Sequence, residues 1–160
     1  MKIRTGIGFD VHPLKGGEPL VLGGVRIPFE KGLDGHSDGD VLIHSIIDAI
    51  FGGAGQGDIG THFPSEDARY KGIDSTKLLC KTLEIITEES WRVSYVDATI
   101  IAERPVLKSY ISQMRQVIAK CLDLEDLDTN VKATTTDGIG FVGRGEGVAS
   151  MAVVTMESDL

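Results

Sequence analysis

The sequence predicts an α/β fold: a single-domain sandwich, with a mixed β-sheet and helices packed on one face. Strand-like and helix-like stretches alternate along the chain, and its first segments read as a hairpin. Such alternation builds a sheet layered with helices. Length agrees. At 160 residues the chain fits one domain, 1–160, able to bury roughly 68–70 % of its unfolded surface. The third observation is cover. The predicted helices suffice for one face of the sheet, yet the other face also carries apolar residues. Burial against further copies of the chain resolves this, so a homo-oligomer is expected.

Lys2 to Asp10 reads as a strand whose two glycines weaken it or mark close backbone approach. His12-Pro13 ends it. Pro19–Leu22 and Val25–Pro28 form a hairpin about Gly23-Gly24. Phe29–Asp34 is a connector, after which Asp38 or Asp40 caps a helix running to Gly52-Gly53. Residues 55–67 are rich in glycine and acid, and read as a long, partly mobile active-site loop. Ser75 caps a second helix to about Glu89, with Leu79, Leu83 and Ile86 inward. Trp91 to Glu103 is the strongest strand, nearly unbroken in β-formers, as in a strand covered on both faces. A third helix spans Val106 to Leu122 on a stripe of Leu107, Ile111, Met114, Ile118 and Cys121. Asn130–Thr136 and Val148–Met156 are strands flanking a glycine-rich turn.

The net charge of −8 argues against nucleic acid as a partner, because phosphate backbones need a basic face. A small phosphorylated ligand held through metal ions remains compatible with it. No apolar run reaches membrane-spanning length, and the first residues lack a signal peptide's basic and apolar regions. Cys80 and Cys121 fall in predicted helices with no Cys-x-x-Cys, so buried free thiols in a reducing compartment such as bacterial cytoplasm are expected.

The first predicted helix carries the chemistry. It is apolar nearly all round, except for Asp40, His44 and Asp48, each four residues after the last and therefore on one face. Such a stripe is costly to bury without a partner. The partner could be a divalent metal, a water-filled interface, or the histidine's own Asp40 or Asp48. Asp10 and His12 sit two apart on a strand and so share a face. Together with His44 they offer two nitrogens and one oxygen, the ligand set of an open, catalytic zinc site. Asp48 shares the stripe and is expected behind the ligands or facing substrate.

Other residues carry weaker signals. Thr134, Thr135 and Thr136 leave a strand end beside glycines, where hydroxyls bind an anion or their own backbone. Arg144 and Glu146 form either a surface ion pair or an anion-holding arginine pre-positioned by its neighbour. Asp58 reads as a turn cap or a ligand contact. His36, just before a helix, reads as part of a phosphate cradle. His62 is expected to be structural or at the surface.

Seven stretches share an order across the chain: GFDVH (8–12), GGVRIPFEKGL (23–33), HSDGDVLIH (36–44), GDIGTHFP (57–64), DATIIAERP (97–105), NVKATTTD (130–137) and GFVGRGEG (140–147). Together they resemble the 2-C-methyl-D-erythritol 2,4-cyclodiphosphate synthase family, cyclases of non-mevalonate isoprenoid biosynthesis. The resemblance implies a homotrimer, the second sheet face buried in it, with active sites between subunits. It implies one Zn2+ per subunit on Asp10, His12 and His44, with His36 and Thr135 stabilising the transition state. Asp58, Ile59 and Gly60 would hold the methylerythritol portion, helped by Ser37 and by Phe63, Pro64, Ser65, Glu66 and Asp67. The nucleotide and diphosphate side would be lined by Ala102, Glu103, Arg104, Pro105, Val106, Leu107 and Lys108. Thr134, Thr136, Asp137, Phe141 and Arg144 would complete it across the subunit boundary. The family usually has Glu where this chain has Asp137, which would hold a second divalent cation, Mg2+ or Mn2+, on the diphosphate. It often has Lys at the place of Val106.

The implied substrate is 4-diphosphocytidyl-2-C-methyl-D-erythritol 2-phosphate, whose own 2-phosphate is the nucleophile and from which CMP departs. The implied class is a phosphorus-oxygen lyase. Two other functions fit parts of the sequence. One is a zinc phosphodiesterase or phosphatase using water in the same metal site. The other is a binder without catalysis, in which Arg144, Phe9 and Phe141 hold an isoprenoid diphosphate on the trimer axis.

Overall fold

The computed structural model describes residues 1–159; Leu160, the last residue of the expected domain, lies outside them. A five-stranded sheet runs β4 (Lys31–Leu33), β1 (Lys2–Gly16), β7 (Gly147–Ser158), β5 (Arg92–Ile101) and β6 (Thr129–Thr134). It is mixed: β7 is antiparallel to both β1 and β5, while β5 and β6 are parallel. β2 (Leu20–Leu22) and β3 (Val25–Ile27) form the expected hairpin.

Helix α1 (Val41–Ala54) is the centre of the core, packed across β1 and β7, with α3 (Ser75–Glu88) beside it and α4 (Ile111–Leu122) beyond. Val41, Leu42, Ile43, Ile46, Ile47, Ile50 and Phe51 are fully buried. The Asp40 carboxylate accepts from Ile43 N at the start of α1, and Gly55 closes its end with φ 77°. The glycines of β1 serve close approach. A Cβ on Gly6 would lie 1.8 Å from the Ala49 carbonyl oxygen, and one on Gly8 1.9 Å from that of Ser45. The helix therefore rests directly on the strand backbone, which sets the height of His44 above Asp10.

Several boundaries differ from expectation. β1 continues past His12-Pro13 to Gly16, because it changes partners: residues 2–13 pair with β7 and 14–16 with β4. Proline ends the first ladder, since it has no N–H to donate. The expected connector 29–34 supplies β4 itself. Ser75 is the first residue of α3, not its cap; Asp74 caps it by accepting from Thr76 N. The loop 55–67 contains a short helix α2 (Ile59–His62), started by Asp58 accepting from Thr61 N. The third predicted helix begins at Ile111, although Leu107 still packs into the core. The glycine-rich turn contains a short helix α5 (Gly140–Gly143). Both cysteines are free, but Cys80 is exposed, and the half-buried Cys121 donates toward the Thr76 carbonyl oxygen at 3.7 Å.

The sheet face away from α1 is apolar and open in the single chain. Ile3, Ile7, Phe9 and Val11 of β1, Met151 and Val153 of β7 and Tyr95 of β5 are exposed there. The register sets Phe9 beside Met151 and Ile7 beside Val153. No helix among the described residues is long and apolar enough to cross a membrane.

Candidate active site

Asp10 and His12 leave β1 on the side of α1 and meet His44. His12 Nε2 lies 2.9 Å from Asp10 Oδ2 and 3.2 Å from His44 Nδ1, and His44 Nδ1 lies 3.1 Å from the same Oδ2. Among the described residues this is the group of acidic, histidine or cysteine side chains whose ligand atoms converge as a metal site requires. The other nitrogen of His12 is 2.9 Å from the Asp34 carbonyl oxygen. A carbonyl only accepts, so His12 Nδ1 carries the proton and Nε2 presents its lone pair to the centre. Ligands 2.0–2.1 Å from a tetrahedral zinc sit about 3.3–3.4 Å apart, close to these separations. The donor set fits a divalent metal with a position left open.

The charges agree. Burial pushes the Asp10 carboxyl up, but hydrogen bonds from His12 and His44 and their positive charge outweigh it and hold Asp10 at about 2. Burial pushes His12 down, and the Asp10 carboxylate more than reverses that, leaving it above 6.5. In the metal-free protein, at pH below the raised value of His12, a proton is the cation these atoms share.

A cavity of about 240 Å³ opens beside the centre, lined by Asp10, His12 and His44 together with His36, Ser37, Asp48, Ile59, Gly60, Phe63 and Ser65. Ser37 Oγ is 2.9 Å from His44 Nε2. His36 Nε2 lies 3.3 Å from the Asp67 carbonyl oxygen, across the cavity mouth. Asp48 Oδ1 accepts from Ile59 N at 2.8 Å and so ties α2 to α1; burial raises its pKa above the ordinary carboxylate value. Asp58, Pro64, Glu66 and Asp67 do not line the cavity: the Asp58 carboxylate binds Thr61, and that of Asp67 binds Arg69. His62 stacks on Phe51 with centroids 3.9 Å apart and reaches the Gln56 carbonyl oxygen, a structural role as expected. Asp40 faces away from the centre and holds Gly23 N and Gly24 N of the β2–β3 turn.

A second cavity, of about 350 Å³, lies at the ends of β5 and β6. Ala102, Glu103, Pro105, Val106, Leu107, Lys108, Thr134 and Thr135 line it, with Ala133 and with Ile111, which was expected only in the apolar stripe of the third helix. Glu103 Oε1 accepts from Thr136 N at 2.9 Å and Gly138 N at 3.2 Å, fixing the loop that carries Asp137. Arg104 and Arg144 line an adjoining cleft that shares Glu103 with this cavity, and Arg144 is held by Glu146 through Nε to Oε1 at 2.8 Å. The two cavities share no lining residue. Ser75 and Asp38, which reach the Asp10–His12–His44 cluster through His44, were invisible as site residues because they lie 31 and 6 positions from His44 on other elements.

The model of the YgbB family matches residues 3–157. The chain belongs to that family. It is 55 % identical over 155 residues to a 2-C-methyl-D-erythritol 2,4-cyclodiphosphate synthase from Desulfatibacillum aliphaticivorans, covering 97 % of this chain and all of that protein. It is 53 % identical to the synthase of Geobacillus kaustophilus, covering 96 % and 98 %. Among solved structures, the bifunctional IspDF of Campylobacter jejuni superposes with a TM-score of 0.94 at 43 % identity, over 98 % of this chain and 42 % of that one. The CDP complex of Plasmodium falciparum IspF superposes with a TM-score of 0.85 at 29 % identity, over 99 % and 97 %.

Proposed function

We infer that the chain converts 4-diphosphocytidyl-2-C-methyl-D-erythritol 2-phosphate to 2-C-methyl-D-erythritol 2,4-cyclodiphosphate and CMP. It is a cyclodiphosphate synthase, a CMP-releasing cyclase of the lyase class in isoprenoid biosynthesis. The observation that carries this is the convergence of Asp10, His12 and His44 beside a cavity, in a chain 55 % identical to a named synthase.

A zinc ion on Asp10, His12 and His44 would supply positive charge to a phosphoryl oxygen at its open position. The remaining work is positioning. Ser37, Ile59, Gly60 and Phe63 would hold the methylerythritol 2-phosphate, and His36 at the cavity mouth would donate to phosphate oxygens. The cavity at Ala102–Lys108 would take the cytidine; a CDP complex of a relative supports that ligand class. Thr135 would hydrogen-bond the diphosphate. Asp137 would carry a Mg2+ or Mn2+ ion shared with the diphosphate, for which one carboxylate plus substrate phosphates suffices. An oxygen of the 2-phosphate then attacks the phosphorus nearer the sugar alcohol, the bond from that phosphorus to the bridging oxygen breaks, and CMP leaves with that oxygen. Holding both ends of one molecule in register contributes roughly 7–11 kcal/mol. No serine or cysteine nucleophile is required.

The two cavities would meet between neighbouring subunits of a homotrimer formed through the apolar sheet face. Exposed Phe9 and Phe141 with the Glu146-held Arg144 support an isoprenoid diphosphate as an accessory ligand on the axis. The free thiols fit a bacterial cytoplasm. Turnover in 18O-labelled water separates cyclisation from hydrolysis. The synthase reaction yields cyclic diphosphate and CMP without label, whereas a phosphodiesterase would place 18O in a linear phosphate product.

A further inference from the structure

His44 has two nitrogens, and only one faces the metal centre. Its other nitrogen, Nε2, lies 2.9 Å from Ser75 Oγ and 2.9 Å from Ser37 Oγ. These two hydroxyls are not equivalent. Ser75 is fully buried as the first residue of α3, and its hydroxyl donates to Asp38 Oδ1. The same carboxylate accepts Ser75 N at 3.0 Å and Asp40 N at 3.1 Å, so Asp38 is held on several sides. A hydroxyl has one proton. With that proton committed to Asp38, Ser75 Oγ turns its lone pairs to His44 and must accept. Ser37 is half-buried, lines the cavity and is bound to no carboxylate. Its hydroxyl is free to turn to a ligand.

We propose that Ser75 and Asp38 are a positioning pair that fixes His44 as its Nε2–H tautomer and so keeps Nδ1 bare for the metal. This rests on the metal site proposed above. The pair also gives the N-terminus of α3 a role at a centre it does not touch directly. The alternative tautomer has a ready acceptor, because Asp10 Oδ2 is 3.1 Å from Nδ1. Without Ser75, a proton on Nδ1 would be held by Asp10, and Ser37 could donate to the bare Nε2. The ligand atom would then be blocked until that proton left. Partners behind a metal-bound histidine set its tautomer and basicity in this way.

The test uses the zinc-free protein labelled with 15N at pH 8, with histidine tautomers read from long-range proton–nitrogen correlations. The unsubstituted protein should show His44 as Nε2–H and His12 as Nδ1–H. In Ser75→Ala, His44 should move to Nδ1–H or a mixture while His12 stays unchanged, which reports an intact fold. Zinc affinity, from chelator competition, should fall roughly 10- to 100-fold. Ser75→Thr should restore both readings. Should Ser75→Ala fail to fold, Ser75→Thr against Ser75→Val makes the same comparison at matched shape. A His44 that stays Nε2–H without the hydroxyl overturns the proposal, as does an undiminished zinc affinity. A zinc affinity that falls with no change of tautomer also overturns it, because that is packing alone. An unsubstituted protein that binds no zinc would instead sink the metal reading, which the tautomer measurement does not depend on.

Discussion

At the scale of single residues, protons would compete with the proposed metal for one place. Asp10 Oδ2, His12 Nε2 and His44 Nδ1 lie within hydrogen-bond reach of one another, and metal binding requires all three deprotonated. The Asp10 carboxylate raises His12 above 6.5 against the opposing effect of burial, so zinc should begin to lose to protons at a higher pH than an unperturbed imidazole would allow. Zinc affinity is expected to fall by about tenfold per pH unit for each proton taken up, measurable by chelator competition between pH 8 and 5. Stability follows the same groups with opposite signs. In the metal-free protein the His12 contribution is complete below 6.5 and lost as pH rises through its raised value. The Asp10 contribution is present above 3.8 and lost as pH falls toward about 2. Thermal melts of the metal-free protein should therefore weaken on the alkaline side, and zinc should remove that loss. Asp40 illustrates a different economy. It is fully buried and binds Gly23 N, Gly24 N and Ile43 N. Each buried N–H left without a partner costs about 1–3 kcal/mol, so Asp40→Ala should lose about 3 kcal/mol or more in urea unfolding. A loss near zero would mean that water replaces the carboxylate.

At the scale of elements, the site depends on how closely α1 rides on β1. Gly8 sits two residues before Asp10, and its missing Cβ makes room for the Ser45 carbonyl, next to His44. Gly8→Ala must push the helix outward against backbone, costing about 1–3 kcal/mol or more and parting His44 from Asp10. A drop in zinc affinity alongside the drop in stability is the expected result. Full zinc binding in a destabilised Gly8→Ala protein would show that the contact shapes the fold alone. Asp48→Ala should release Ile59 N and loosen α2, raising KM more than it lowers kcat; a fall in kcat with KM unchanged would place Asp48 at the chemistry. The sequence carried the local part of this geometry. The Asp-x-His spacing on a strand and the His44–Asp48 part of the polar stripe follow from fixed periods of 2 and 3.6 residues, and these residues all line one cavity. Asp40 leaves the stripe, because as the cap of α1 it turns to Gly23 N, Gly24 N and Ile43 N. The glycines of β1 were readable as close approach, though not what approached. What escaped was long-range. Asp38 or Asp40 was expected to cap α1; Asp40 does so, while the Asp38 carboxylate serves Ser75 on α3, 37 residues on. β4 was hidden because three residues hold too little pattern, and its pairing depends on β1 turning past Pro13.

At the scale of the whole molecule, one face of the sheet is finished and the other is not. α1 seals the first, placing Ala152, Val154 and Met156 of β7 in the core. The second presents Phe9, Met151, Ile7 and Val153 in register at the middle of the sheet. The two cavities on one chain share no wall. Both facts have one explanation if subunits associate through the apolar face and each active site takes its metal centre from one chain and its nucleotide cavity from the next. Met151→Asp tests this cleanly. The side chain is exposed in the single chain, so folding should change by no more than about 0.5 kcal/mol. In the assembly the same carboxylate would be buried without a partner, at several kcal/mol for each subunit. Sedimentation equilibrium should then find monomers that still bind zinc, because Asp10, His12 and His44 come from one chain on the opposite face. Turnover should fall by at least about 100-fold, since separated half-sites lose the alignment on which the rate rests. A monomer with undiminished turnover would place the whole reaction within one chain. An assembly that survives the substitution unchanged would mean that the subunits meet elsewhere.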